Sequence, residues 1–500
     1  MDTEDSRRIP NWLVRILILL AVAGALALRL PRLDLRPFHG DEANQAIKTS
    51  ILLETGEYIY DPVDHHGPTL YYLALPFAWA HGQTTKESLT ESALRLELVL
   101  AGACLVALLF LLRQGIGNRA TLYAALLTVI SPALVFYSRF FIQETLLVLF
   151  TFTAIAAGWR YTRSHSVGWL VLAGACAGLM HATKETCVLA FASMAGATAC
   201  TFAWARLRDD RILALRRHVR PWPIAAALLA AVAVSVLFYS SFFTHWRGVL
   251  DSLLTYSNYV QKADGSPIHD KPWYYYLKLL AFTHNGAGPW WSEGLILALA
   301  AYGVVVALAR PKGNRLVQFL AFYTMLLTAA YSLIAYKTPW CAINFLQPMI
   351  LLAGYGAVAL VVSLRSRRRL QAVAVLLLAV ATCHLGVQTF RANGDYCADP
   401  RNPYVYAHTS TALIRLTDRV EDIAKVSPEG RGLLVRVIAP DGDYWPLPWY
   451  LRKFSKVGYW PNVPDDCDAP VIIAPPQLYP EVAARLRDKY QTETYTLRPG

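Results

Sequence analysis

Charge is scarce in this chain. Asp, Glu, Lys and Arg make up only 16% of 500 residues, against 55% apolar residues. That balance excludes an ordinary soluble protein, although the length alone permits two or three soluble domains. Among eight cysteines there is no Cys-x-x-Cys spacing, so a zinc site of that type is excluded. Cys104, Cys176, Cys187, Cys200 and Cys383 fall in apolar runs as small fillers, and Cys341 stands at the end of one. No internal repeat is visible, and the C-terminal segment has no Gly-rich phosphate loop. Acidic residues are outnumbered, giving a net charge of +12. The basic residues lie in short connections between apolar runs, so their excess reads as membrane topology and not as nucleic-acid binding. A basic chain also speaks against a high-salt cytoplasm.

The apolar runs predict eleven spans, roughly 12–30, 94–112, 120–138, 141–159, 167–181, 186–205, 222–241, 293–309, 316–336, 342–363 and 370–390. The first, from Trp12 to Leu30 behind Arg7 and Arg8, is too long for a cleaved signal core and reads as an uncleaved span. Connections rich in cations alternate with poor ones. The rich set holds Arg113 and Arg119, then Arg160 and Arg163, the cluster from Arg206 to Arg220, Arg310 to Arg315, and Arg365 to Arg369. The short turns of the other set hold one cation each: Arg139, Lys184 and Lys337. The positive-inside rule then predicts a multi-pass cell-membrane protein with a cytoplasmic N-terminus and an extracytoplasmic C-terminal segment. It also puts the long connections 31–93 and 242–292 on the outer face.

Within 31–93, Ala46, Ile47 and Ile51 recur at helical spacing opposite Gln45, Lys48 and Glu54, which predicts an amphipathic helix on the interface. Thr69 to Ala80 is apolar, too short to span, and predicts a second interfacial or re-entrant helix. The connection 242–292 is aromatic at Trp273 to Tyr276 and at Trp290-Trp291, either as a membrane belt or as a platform for sugar or isoprenoid. After residue 391 the pattern predicts a small α/β domain: helices over 404–426, 445–454 and 480–490, strands over 433–439, 471–474 and 492–497. Cys397 and Cys467 both lie there, and an oxidising compartment makes a disulfide between them an open expectation.

One hydrophilic stretch follows the first span directly: Arg36-Pro37-Phe38-His39-Gly40-Asp41-Glu42-Ala43. Acidic groups at a bilayer surface are costly unless they are used. Asp41 and Glu42 suit the first turn of a helix, where Asp41 serves as cap, as general base, or as both. The stretch resembles the acidic motif of the GT-C superfamily, found in protein O-mannosyltransferases and in the transferases that add aminoarabinose to lipid A. The resemblance extends over nearly the whole chain. It includes Tyr60-Asp61-Pro62 through His66-Gly67-Pro68-Thr69-Leu70-Tyr71-Tyr72, Tyr137-Ser138-Arg139 with Glu144, Thr183-Lys184-Glu185, and Lys337-Thr338-Pro339-Trp340. It also includes Asp443-Tyr444-Trp445-Pro446-Leu447-Pro448-Trp449-Tyr450-Leu451-Arg452. Together these are similar to a flippase-activity-associated family named after archaeal N-glycosylation.

The resemblance implies a GT-C-like transmembrane domain over 1–390, a soluble extracytoplasmic α/β domain over 391–500, and a polyprenyl-phosphate sugar as donor. It implies Asp41, with Glu42, as the catalytic carboxylates. Arg139, Lys184 and Lys337 are expected to meet the donor phosphate, because a departing phosphate needs positive charge; the bland alternative is headgroup anchoring. Glu144 and Glu185 are placed to orient these cations, and His65, His66 and His269 to touch sugar or acceptor. Asp61, Asp64, His65 and His66 match no metal signature, so no metal ligand is assigned; no cofactor is called for, and a divalent ion stays open. The expected activity is inverting transfer of a sugar to a glycan, lipid or protein acceptor. The rival is a non-catalytic accessory or flippase component, against which the missing repeat argues. Cysteine labelling of intact cells should reach positions near Asp64, Ile268 and Gly430 and miss those near Asp210 and Ser366; outside labelling of the 206–221 connection would overturn this topology.

Overall fold

A computed structural model describes residues 9–64, 66–207, 221–263, 269–309 and 313–498. All eleven segments expected to span are helical: Asn11–Arg29, Glu91–Ile116, Asn118–Ile130 with Pro132–Tyr137, Glu144–Ser164, Val167–His181, Cys187–Leu207, Pro221–Tyr239, Gly294–Ala309, Arg315–Leu333, Ile343–Ser363 and Arg368–Asn393. Among the described residues seven helices are long and apolar enough to cross a membrane, and Val167–His181 and Gly294–Ala309 are apolar but shorter. The expected run 120–138 is two helices. Ser131 caps the second of them by accepting from the Leu134 N–H, and Pro132 has no N–H with which to continue the first.

The helices approach closely where side chains are smallest. A Cβ on Gly174 or Gly178 would enter the backbone of Ala227 or Ala231, and one on Gly303 would enter that of Leu352. Lipid tails give no hydrophobic gain between helices, so such close backbone packing holds them together. Leu228, Leu229 and Val232, and Leu376, Leu377 and Val380, are exposed on helix faces turned away from the bundle, as a lipid-facing surface requires.

The long connections gather at one end of the bundle. Thr69–Ala80 is helical as expected, and the segment before it packs on the 182–185 turn. Gly67 lies against the Ala182 carbonyl, with no room for a side chain. The Thr69 N–H donates to that carbonyl at 3.1 Å, and the Thr69 and Thr183 hydroxyls meet at 2.8 Å. The connection 242–292 contains two helices, Arg247–Ala263 and Tyr275–Ala281. Its aromatics divide: Trp291 and Tyr276 are core, whereas Trp273 and Trp290 face outward.

The C-terminal unit is a three-stranded parallel sheet of order β2-β1-β3, with β1 Leu434–Ile438, β2 Lys456–Trp460 and β3 Val471–Ile473. Strand β2 was not expected. The expected strand over 492–497 is not formed; the Ser410 N–H donates to the Leu497 carbonyl at 2.8 Å. The helix expected from 404 runs over Ala412–Val426. Cys397 and Cys467 are both free thiols. Cys467 packs with Ile438, Val463 and Val482, while Cys397 lines a cleft with Leu33, Arg36 and Arg139, so the expected disulfide is corrected.

The unit is joined firmly to the site. Trp449 is fully buried among Phe38, Ala43, Ala46, Leu89 and Leu94, and its indole N–H donates to Glu91 at 2.7 Å. The Arg452 guanidinium donates to the carbonyls of Lys86 and Leu89. Emptying so large a buried volume costs about 3–5 kcal/mol. Trp449→Ala should therefore lower the unfolding temperature in detergent and expose residues 391–498 to protease; an unchanged melting curve would show that the junction carries no stability.

Candidate active site

The helix Gly40–Thr55 organises the site. Its N-cap is His39, whose Nδ1 accepts from the Asp41 N–H at 3.0 Å, while the His39 N–H donates to Glu42 at 3.1 Å. Asp41 is therefore not the cap. Its side chain is 53% exposed, with His39 Nδ1 at 3.7 Å. Glu42 has the opposite environment, at 0% exposure. Arg95 grips it with two nitrogens, Nε at 2.8 Å and Nη2 at 2.7 Å, and the Phe141 N–H donates to it at 2.8 Å. Arg95 also donates to the carbonyls of Leu33 and Arg36. Burial alone would raise the Glu42 pKa, but the guanidinium groups of Arg95 and Arg36 and these hydrogen bonds hold it below the usual carboxylate range. Glu42 is thus a buried, ion-paired carboxylate, in contrast to the exposed Asp41 beside it.

Asp41, Gln45 and Lys48 follow at i, i+4 and i+7, so they share one face of the helix. Gln45 accepts from the Tyr71 hydroxyl and from Gln143 at 3.3 Å. Lys48 Nζ donates to the Asp64 carbonyl at 2.8 Å and pairs with its carboxylate at 2.9 Å. Gln45 and Lys48 are buried along with Ala46, while Ile51 and Glu54 are exposed, so polar side chains of this helix also enter the interior. The interior it meets is polar. Lys184 pairs with Glu144, and Glu185 with His66 at 2.9 Å.

Opposite lies the 269–271 segment bridged to Tyr336. His269 Nδ1 is 2.9 Å from the Tyr406 hydroxyl, and its ring lies 4.4 Å from that of Tyr336. Partial burial lowers the His269 pKa; Asp41 opposes that shift and Lys271 adds to it, which puts Asp41 within electrostatic reach of this wall. The Lys337 backbone donates to the His269 carbonyl at 3.0 Å, and its ammonium donates to the carbonyls of Lys271, at 2.9 Å, and Ile334.

The three outer-turn cations have different protein partners. Arg139 donates to the carbonyls of Pro31 at 2.7 Å and Arg32 at 2.9 Å, just past the end of the first helix, where carbonyls lack partners. Burial beside Arg95 lowers its pKa to about 10. Lys337 is committed to backbone and Lys184 to Glu144, so each expected phosphate ligand already holds a protein partner. His65 lies outside the described residues. Among the described residues no three His, Cys, Asp or Glu side chains gather as a metal site. Arg95 and Lys48 were missed as site residues. Arg95 had a signal, being a cation inside an apolar run; Lys48 had only its spacing from Asp41.

Breaking a buried ion pair from one side costs about 3–5 kcal/mol. Glu42→Gln should therefore destabilise the protein strongly. A carboxylate whose pKa is depressed by folding stabilises fully above its unfolded value of about 4.3, and that contribution fades as pH falls toward the folded value. Thermal stability should soften below about pH 4 in wild type and lose that component in Glu42→Gln. Equal stability of the two proteins at neutral pH would contradict the structural role.

Residues 75–240, about a third of the chain, match the family profile of dolichyl-phosphate-mannose-protein mannosyltransferase. Comparison with curated protein sequences gives no match. Among solved structures, the chain is similar to ArnT from Cupriavidus metallidurans in the apo state, with a TM-score of 0.60 at 17% identity over 94% of this chain and 95% of that one. ArnT bound to undecaprenyl phosphate gives 0.59 at 16% identity, over 88% and 85%. The apo oligosaccharyltransferase of Archaeoglobus fulgidus gives 0.56 at 13% identity, over 89% of this chain and 64% of the archaeal one. With its helical bundle and small C-terminal sheet, the chain has the GT-C fold of membrane glycosyltransferases.

Proposed function

We propose that this protein transfers a sugar from a polyprenyl-phosphate donor to an acceptor hydroxyl, with inversion, on the outer face of the membrane. One observation carries the reading. Two adjacent carboxylates at one helix start have opposite surroundings: Glu42 is sealed in an ion pair, and Asp41 is half-exposed at the capped start of the helix, within electrostatic reach of His269 and Tyr336. A general base needs that combination of fixed backbone and accessible oxygen. The lipid donor is supported by relatives of the same fold, ArnT bound to undecaprenyl phosphate and the Archaeoglobus enzyme in complex with a dolichol-phosphate. The outward orientation rests on the alternation of basic connections.

In this reading Asp41 accepts the proton of the acceptor hydroxyl as its oxygen bonds to the anomeric carbon. The bond from that carbon to the phosphate oxygen breaks on the opposite side, and the lipid phosphate leaves with the electron pair. The transition state is oxocarbenium-like, by analogy with glycoside hydrolysis. Lys184 and Lys337 contribute positive potential behind the departing phosphate, and His66 and His269 border the sugar.

Asp41→Asn keeps size and removes the ability to take a proton. Because His39 caps the helix and the Asp41 side chain is half-exposed, stability should stay near wild type. Transfer from a polyprenyl-phosphate sugar should fall by at least roughly a hundredfold. Full activity in this variant would end the mechanism and return the accessory or flippase reading.

A further inference from the structure

The arrangement around the inward face of Gly40–Thr55 assigns a residue to the donor that the sequence had placed on a solvent-facing surface. We infer that Lys48 receives the phosphate of the lipid donor, and that Asp64 competes with that phosphate for the ammonium. The inference rests on the transferase reading above.

The first argument is spacing. Seven residues of helix separate Asp41 from Lys48, an axial distance of about 10.5 Å. An in-line displacement sets base, acceptor oxygen, anomeric carbon, leaving oxygen and its cation on one path. With a hydrogen bond at each end and the attacking oxygen about 3 Å from carbon, that path is roughly 10 Å long. The backbone rise from Asp41 to Lys48 along one rigid helix is of that order, with Gln45 between them. As the carbon–oxygen bond breaks, the electron pair moves onto the phosphate, and the Lys48 ammonium meets the added charge.

The second argument is the cost of freeing each cation. Lys184 pairs with Glu144, which is 1% exposed, so separating them leaves a buried carboxylate without its countercharge. Lys337 and Arg139 hold backbone carbonyls. Lys48 is buried, yet its partner Asp64 is 60% exposed at the side chain, on the bend that follows Tyr60. An exposed carboxylate returns to water at little cost. Asp64 occupies two of the three ammonium donors, one through its carboxylate and one through its carbonyl. Burial disfavours the Lys48 charge, and Asp64, Asp61 and Asp41 favour it, so the pocket already balances a cation against anions.

The third argument is access for a lipid. The Thr255 hydroxyl of Arg247–Ala263 donates to the Pro62 carbonyl at 2.9 Å, which sets that helix over the Asp61–Asp64 bend. Its polar residues Asp251, Ser252 and Thr255 are buried, and Leu250, Leu253 and Leu254 are exposed. A helix whose apolar face turns outward beside lipid-facing spans lies in the membrane interface. A polyprenyl chain reaching Lys48 along this helix stays in apolar surroundings while its phosphate enters the polar seam.

The test is binding of undecaprenyl phosphate to the full chain in detergent, read by native mass spectrometry and titration. Wild type should bind, and inorganic phosphate in tenfold excess should not displace the lipid. Lys48→Gln should weaken binding at least about tenfold, Lys48→Arg should retain most of it, and Asp64→Asn should tighten it severalfold. Asp41→Asn should bind as wild type does. Unchanged binding in Lys48→Gln would overturn the assignment while leaving the transferase reading intact. Equal loss in Lys48→Gln and Lys48→Arg, with a lowered melting temperature, would overturn it in favour of a structural lysine. Displacement by inorganic phosphate would overturn the lipid commitment, and no binding by wild type would overturn the donor reading with it.

Discussion

The Glu42–Arg95 ion pair is the constraint on which the site depends. Both side chains are withdrawn from water, and withdrawal of two ions is tolerated only when each is fully partnered. Arg95 meets that demand through the Glu42 carboxylate and the carbonyls of Leu33 and Arg36; Glu42 meets it through Arg95, the Phe141 N–H and the His39 N–H. The pair therefore fixes the first connection, the second span and the 138–143 turn relative to one another. Neighbouring residues on a helix point about 100° apart. With Glu42 locked inward, Asp41 is turned about 100° away from it and is half-exposed. The ion-paired carboxylate and the one proposed as base occupy adjacent positions, so the same group does not have to serve both roles.

Phe38 shows how the C-terminal unit enters this arrangement. Its N–H donates to the Tyr450 hydroxyl at 2.8 Å, and its carbonyl accepts from the Thr409 hydroxyl at 2.7 Å. Its ring lies 5.1 Å from that of Trp449 and 4.8 Å from the Arg95 guanidinium carbon. The residue before the His39 cap is thus held from both sides by residues more than 370 positions away. The Tyr-Trp-Pro-Leu-Pro-Trp-Tyr run braces the start of the site helix. The unit is a buttress more than a separate appendage.

Much of this was legible in the residues. Apolar run length marked every helix of the bundle, and Thr69–Ala80 was visible because a twelve-residue apolar segment in a polar connection has few other uses. The Pro132 break was legible in principle but was masked by the continuous hydrophobicity around it. Periodicity showed that Gln45 and Lys48 share a face; it does not say which of its positions meet water, and Gln45 and Lys48 are buried while Glu54 is exposed. The same limit applies to Arg139, Lys184 and Lys337. Equal depth in the sequence pattern says nothing of which carbonyl or carboxylate lies nearest, and each found a partner within its own turn or on a neighbouring segment. Strand β2 was hidden because Lys456-Val457-Gly458-Tyr459-Trp460 carries a glycine and pairs only with distant β1.

Cleavage of the lipid–sugar bond is what separates the proposed transferase from a protein that only moves or presents a lipid-linked sugar. The direct measurement uses purified protein in vesicles, a membrane extract as acceptor source, and a polyprenyl-phosphate sugar labelled with one isotope in the sugar and another in the phosphate. The account predicts that the labels part, with one polyprenyl phosphate released for each sugar transferred. Both labels remaining in one molecule, carried intact across the bilayer, would contradict it.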